Sequence, residues 1–454
     1  MKRVLVAVGV LATFLLVAAK PEEAIYGDGA RLCFLGDSIT KQAWWSRAVT
    51  DYLYTRFPSR RFAFCNAGVA GDTAGGCFSR LEEDVLAFRP TAVTVMFGMN
   101  DVGRGNYCAK PTPVQIDRRN QALVDYQANL LKVATLLKTG ASGVTMSWFT
   151  PSPYDEAAKS ARPCQIGCGG ALARCAQITT QIAESRMEML VDVFGPMDAF
   201  NQAQRKLDPD FTLCGDDRIH PREAGGLFMA ATVLKAWNVP GEVSSVTIDA
   251  ARCVCQEMSN ATVTEMRRTR EGFCFTVYEK ALPWPIDPAA HAVAQVIDVA
   301  GTLNREMLTV KNLPRGNWQL SIDGKVVFTA AAQEFAKGIN LSSCETPQMQ
   351  QARDVVELNH RRVAREVDYR SLCGERWFLR RHVKDIDDWD EVVRVAKTFE
   401  GKEGFFEKNL PKYLEGWPKR GIIQAELSGF ARRIETARVP QPHVYTLTRV
   451  IDAK

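Results

Sequence analysis

The first half of the chain predicts an α/β domain, a parallel sheet with helices on both faces. A small β unit and a helical C-terminal region follow it. Three observations carry this reading. Short apolar runs alternate with segments of helical spacing between residues 28 and 240. Strands and helices of these lengths in strict alternation build a parallel sheet covered on both sides. After Pro240 the pattern shifts to closely spaced short runs, and from about residue 340 helical spacing dominates.

The elements follow in order. Leu32–Leu35 is an apolar strand, and residues 40–56 continue it as a helix with Trp44 and Trp45 near its start. Phe62–Cys65 is a second strand, residues 77–88 a helix closed by Pro90, and Ala92–Phe97 a third, β-branched strand. Residues 113–138 carry Leu123, Tyr126, Leu130, Val133 and Leu137 on one helical face. Val144–Phe149 is a strand stopped by Pro151 and Pro153. A helix over 170–186, a strand at Leu190–Phe194 and a helix over 196–206 come next. A loop over 207–220 leads to a last helix at 221–237, with Pro221 in its first turn. In such sheets, sites form beyond the carboxyl ends of the strands.

A length of 454 residues exceeds one ordinary core. The divisions read from pattern are 28–240, a β-rich unit at 241–338 and a mainly helical region at 339–454. Hydrophobic content of 46% and charged content of 24% are those of a globular protein. A net charge of +5, spread over residues of both signs, is too mild and too mixed to argue for a nucleic-acid partner, and none is expected. Lys2 and Arg3 precede an uncharged apolar run, Val4–Ala19, that ends in small residues. This is the pattern of a signal peptide cleaved near Ala19, and it implies a secreted or periplasmic protein with no stable membrane insertion after cleavage. The rival reading is an uncleaved anchor, for which the run is short. Thirteen cysteines in an exported chain suggest some disulfides, and the odd number leaves at least one thiol over. The clusters Cys164/Cys168/Cys175 and Cys253/Cys255/Cys274 lack the paired spacing and the histidine of a zinc site, so no metal is expected.

Four segments at predicted strand ends or before the last helix carry chemistry. Gly36-Asp37-Ser38 puts a hydroxyl at a strand-to-helix corner, where its own N–H and the helix dipole point into the same space. Asn66-Ala67-Gly68 and Gly98-Met99-Asn100-Asp101 follow the second and third strands. Asp217-Arg218-Ile219-His220 precedes the last helix. Acyl transfer by serine needs a nucleophile, a base, a group to orient the base, and donors for the oxyanion. Ser38 is the candidate nucleophile. His220, the only histidine in the first 240 residues, is the candidate base. Asp217, three residues earlier, is spaced to reach the imidazole, with Asp216 as the alternative. Ser38 N–H, Gly68 N–H and the Asn100 amide are the candidate oxyanion donors. Each segment also has a plain structural reading as a turn or a helix cap.

Together the four segments resemble the four sequence blocks of the SGNH hydrolases, also called GDSL esterases and lipases, over about residues 30–238. The resemblance implies a flavodoxin-like three-layer α/β/α fold and ester hydrolysis through an acyl-enzyme. It implies Ser38, His220 and Asp217 as the triad and Ser38, Gly68 and Asn100 as oxyanion donors. It implies no cofactor or metal.

The substrate expected is a small-molecule or glycan ester. Trp44, Trp45, Tyr107 and Trp148 are candidate faces for sugar rings, although Trp148, on a strand, reads better as core. No long apolar lid favours a lipase, so a carbohydrate O-acetylesterase is the reading. A lipase or thioesterase with the same triad and a non-catalytic glycan-binding protein are the alternatives. In the second half, short strands are expected at Val243–Ile248, Phe273–Tyr278, Met307–Val310, Trp318–Ile322 and Val326–Phe328, with Asp323-Gly324 as a hairpin turn. Helices are expected over 347–371, 389–400 and 421–438, and a closing strand at Tyr445–Ile451.

Overall fold

The computed structural model describes residues 21–450, so the leader read at residues 1–19 lies outside the described residues. Strands β1 (Ala30–Gly36), β2 (Phe62–Gly68), β3 (Ala92–Met96), β4 (Thr145–Phe149) and β5 (Met189–Val191) form one sheet. All neighbours are parallel, in the order β2-β1-β3-β4-β5. This is the doubly wound, three-layer α/β/α arrangement. Helices Trp44–Arg56 and Glu223–Ala236 pack together on one face, and Pro113–Gly140 packs with Cys168–Ser185 on the other. The right-handed crossovers of parallel strands distribute them this way. The sheet is apolar on both sides because both are covered. Phe34 of β1 meets Trp45 edge-on at 5.2 Å, and Phe149 of β4 lies 5.2 Å from the same indole. Pro113–Gly140 starts at a capping box formed by Thr112 and Gln115.

Two helices differ from their sequence pattern. The expected helix over 40–56 is two pieces, one turn at Ser38–Lys41 and then Trp44–Arg56, broken where Ala43 takes φ 64°. The expected helix over 77–88 is a chain of short turns ending at Arg89, φ 53°. Its polar residues Arg80 and Asp84 turn inward to make ion pairs instead of facing water.

The β unit is a sandwich of two sheets. One holds β6 (Glu242–Asp249), β7 (Val254–Ser259), β10 (Arg305–Lys311) and β13 (Ile339–Asn340) in the order β13-β10-β6-β7. The other holds β8 (Ala261–Arg268), β9 (Gly272–Glu279), β11 (Asn317–Ile322), β12 (Lys325–Ala331) and β14 (Pro442–Arg449) in the order β12-β11-β14-β9-β8. Strands β7 and β8 carry no apolar alternation and are missing from the sequence reading. They are edge strands, mostly exposed, held to their neighbours by backbone pairing and by polar side-chain contacts such as Ser259 to Glu242 and Thr276 to Glu265. β14 lies at the centre of its sheet, between β9 and β11, so the helical region is an insertion into the sandwich.

The helix Pro347–Leu379 runs along the first domain, against Trp44–Arg56 and the edge strand β2. With Trp389–Lys397, Leu410–Gly416 and Arg420–Ala437 it encloses a separate core around Phe378, Tyr413 and Trp417. No helix among the described residues is long and apolar enough to cross a membrane. All thirteen cysteines are free thiols, not the disulfides expected in part. Seven of them, including Cys33 and Cys175, are buried and pack as small apolar residues.

Candidate active site

The carboxyl ends of β1, β2 and β3 open onto one space. β1 stops at Gly36, and Asp37 caps the turn that follows, its Oδ1 accepting from the Ile39 N–H at 2.9 Å. That cap sets Ser38 at the first position of the turn. From the far end of the domain, the loop before Glu223–Ala236 returns His220 to the same place. Ser38 Oγ lies 2.8 Å from His220 Nε2, and His220 Nδ1 lies 2.6 Å from Asp217 Oδ2. The structure therefore brings together the three side chains that stand 182 residues apart at their extremes.

Asp217 is held by more than the imidazole. Its Oδ1 accepts from the backbone N–H groups of Ile219, at 3.0 Å, and His220, at 2.9 Å. Burial pushes this carboxyl up, but the hydrogen bonds from the His220 ring and backbone outweigh it and hold the group below the usual range. Asp216 points away, paired with Arg222 and 80% exposed, so it does not serve the imidazole.

The donors differ from the expectation at one residue. Gly68 N–H donates to Asn66 Oδ1 at 2.9 Å in a buried contact and is not free for an oxyanion. A Cβ on Gly68 would lie 2.2 Å from the Lys41 backbone nitrogen. Glycine stands there because the turn bearing Ser38 lies directly on it, not because substrate does. Asn66 completes this joint by donating from Nδ2 to the carbonyls of Thr40 and Lys41. The next glycine, Gly71, takes φ +74° with open space around it, and its N–H has no acceptor among the described residues. Asn100 lies beside it, donating from Nδ2 to the Asp72 carbonyl at 2.9 Å. Asp101 accepts from the Gly98 and Ala74 N–H groups at 2.9 Å each and so locks the third loop to the second. Burial pushes Asp37 and Asp101 up to about 7. The sequence signal for Gly71 is the Gly71-Asp72-Thr73 turn, three residues past Gly68.

The C-terminal helix takes part in the same construction. Glu366 Oε1 accepts from Asn66 N–H at 2.9 Å, and Arg370 Nε donates to the Gly68 carbonyl at 3.3 Å. Arg370 also grips Asp84 through two bonds of 2.9 and 2.7 Å. Asp84 pairs with Arg80, which donates to the Ala67 and Gly36 carbonyls and to Asp72. Two arginines and two aspartates thus hold the exact strand ends from which the reactive loops leave. Lys and Arg alternating with Asp and Glu along a helix have the pattern of a solvated face, and Glu366 and Arg370 depart from it because their partners lie on the first domain.

Three of the four expected sugar platforms are buried, and the fourth, Trp44, is half-buried and lines a cavity with Trp284 and Pro285. Trp45 and Trp148 are fully buried. Arg47 covers the Trp44 ring at 4.7 Å, and Arg119 covers the buried Tyr107 at 4.3 Å. Among the described residues, no group of three or more His, Cys, Asp or Glu is arranged to hold a metal ion.

A hydroxyl, an imidazole and a carboxylate in a line, on a doubly wound sheet and beside open amide donors, define a serine hydrolase of the α/β/α class. Residues 34–226 match the model of the GDSL-like Lipase/Acylhydrolase family, and this domain is a serine ester hydrolase domain of that family. An acetylxylan esterase of Geobacillus stearothermophilus is 26% identical over 224 residues, which is 46% of this chain and 94% of that protein. A solved structure of a gut microbial diltiazem-metabolizing enzyme covers 93% of this chain and 98% of its own, with a TM-score of 0.86 and 26% identity. The likeness to the second protein takes in the sandwich and the helical region as well as the hydrolase domain.

Proposed function

We propose that the protein hydrolyses O-acyl esters, chiefly O-acetyl esters of carbohydrates, through an acyl-enzyme on Ser38. The observation that carries the reading is the unbroken hydrogen-bonded line from Ser38 Oγ through His220 to Asp217. Ser38 Oγ attacks the ester carbonyl carbon while His220 Nε2 takes the hydroxyl proton. Asp217 stabilises the imidazolium and fixes its tautomer. Ser38 N–H, Gly71 N–H and Asn100 Nδ2 donate to the oxyanion, each worth roughly 3 kcal/mol in the transition state. The intermediate collapses, and the departing alcohol takes the proton from His220. Water then repeats the sequence on the acyl-enzyme, releases the carboxylic acid and restores Ser38.

Acetyl as the acyl group and a sugar as the alcohol are supported by the likeness to the acetylxylan esterase. Export, from the basic and apolar leader, is consistent with an extracellular polysaccharide. A second reading, a small-molecule ester as substrate, is favoured by the full-length likeness to the diltiazem-metabolizing enzyme and by the covered aromatic faces. The test is acetate release from acetylated xylan, from acetylated xylo-oligosaccharides and from diltiazem, with Ser38→Ala as control. The carbohydrate reading expects fast release from the glycans that is absent in the variant. Release from none of the glycans alongside rapid cleavage of the drug or of long-chain esters overturns it.

A further inference from the structure

We propose that Arg104 is a positioning residue for the oxyanion hole, acting through the side chain of Asn100. The inference rests on the reading of Asn100 as an oxyanion donor. An asparagine amide has one acceptor oxygen and two N–H donors, and its two orientations differ by a flip that exchanges them. Arg104 Nη2 donates to Asn100 Oδ1 at 3.1 Å. On the other side, Asn100 Nδ2 donates to the Asp72 carbonyl at 2.9 Å. The flipped amide would set its NH2 group against the guanidinium and its oxygen against the Asp72 carbonyl. Both hydrogen bonds would be lost, and both contacts would become repulsive. The two partners therefore force one orientation, and it leaves a single N–H unspent, the one available to an oxyanion.

Arg104 is suited to this task by its own setting. It follows Gly103, φ 64°, at the start of a short turn, Arg104–Asn106, and the Gly103 N–H bonds back to the Asn100 carbonyl at 3.1 Å. The arginine is thus looped back onto the residue it orients. Its second terminal nitrogen, Nη1, is buried and has no partner among the described residues. The guanidinium acts on the site through the Asn100 amide, and its charge also lowers the buried Asp37 carboxyl against the larger, upward push of burial.

The experiment is a double-mutant cycle on the full chain, with acetate release from a small acetyl ester as readout. Arg104→Met is expected to lower kcat by about 10- to 100-fold, with KM within about twofold of wild type. Arg104→Lys, which can still donate to Oδ1, is expected to recover most of the loss. Asn100→Ala is expected to lower kcat by about 100-fold or more, and adding Arg104→Met to it is expected to cost no more than about twofold further. A merely structural arginine would give losses that multiply, a fall in thermal stability that tracks activity, and no rescue by lysine. That pattern overturns the proposal, as does wild-type kcat in Arg104→Met. If Arg104→Met does not fold, Arg104→Gln against Arg104→Lys carries the same comparison. Wild-type kcat in Asn100→Ala overturns the oxyanion reading itself, and is distinguishable from failure at Arg104 alone.

Discussion

Replacing Arg370 by methionine tests whether the C-terminal helix is part of the catalytic domain's framework. The side chain is 3% exposed and forks onto Asp84 through bonds of 2.9 and 2.7 Å, with Nε on the Gly68 carbonyl. Asp72, Arg80, Asp84 and Arg370 carry two positive and two negative charges, so the buried set is balanced. Methionine fills similar volume but leaves one negative charge uncompensated and the Gly68 carbonyl unpaired. Removing one partner of a buried pair costs about 3–5 kcal/mol. Burial alone would push Asp84 up, but Arg370 and Arg80 hold it at about 2. In the wild type this contribution is present above the ordinary value of 3.8 and is lost only as pH falls toward about 2. In the variant Asp84 loses its stronger partner and protonates at higher pH, so the penalty shrinks between about pH 7 and about pH 4. Urea unfolding followed by tryptophan fluorescence at both pH values measures this. A loss below about 1 kcal/mol at neutral pH, or one that does not shrink in acid, refutes the reasoning. The double variant Arg370→Met with Asp84→Leu, which leaves Arg80 and Asp72 paired, is expected to be more stable than the single one.

Ser38→Ala and His220→Ala are each expected to lower kcat by roughly 10⁶-fold, and Asp217→Asn by roughly 10⁴-fold, with folding intact, as steady-state kinetics and circular dichroism would show. Gly68→Ala places a Cβ 2.2 Å from the Lys41 nitrogen and is expected to destabilise by about 1–3 kcal/mol. Gly71→Ala has space but an unfavourable φ of +74°, so it is expected to cost about 1–2 kcal/mol in thermal unfolding and to lower kcat per folded molecule. Equal damage from both changes would undo the distinction between the two glycines. Glu306 and Glu279 are buried side by side, and both Glu306 oxygens lack partners among the described residues. Burial, with the neighbouring Glu279, pushes the Glu306 carboxyl well above 4.5, so stability is greatest below that pH and falls as pH rises. Glu306→Gln is expected to raise the unfolding temperature at about pH 8 and to match wild type near pH 4; a variant less stable at pH 8 would contradict this.

The sequence by itself determined the order of the first domain and singled out Ser38, Asp217 and His220, the three side chains that the fold brings into one hydrogen-bonded line. Those features are written locally. Alternating apolar runs declare strands and helices, a capping aspartate declares the turn at Ser38, and the spacing of Asp217 and His220 lets one reach the other within a single loop. It also determined the strands β9, β10 and β11, because their inward faces are apolar and regularly spaced. The tertiary structure alone decided which glycine offers its N–H, since the Gly68 N–H is spent on Asn66 Oδ1 and the Gly71 N–H has no acceptor among the described residues. It decided that the central strand β14 closes the sandwich from the far end of the chain, and that Asn66, Asp84, Glu366 and Arg370 are interior. A charged residue on a helix reads as solvated until its partner is known, and that partner, 286 residues away for Arg370, is supplied only when the chain has folded. Local pattern encodes secondary structure and the chemistry of a loop, whereas pairing of buried polar groups is a property of contacts that no window of sequence contains.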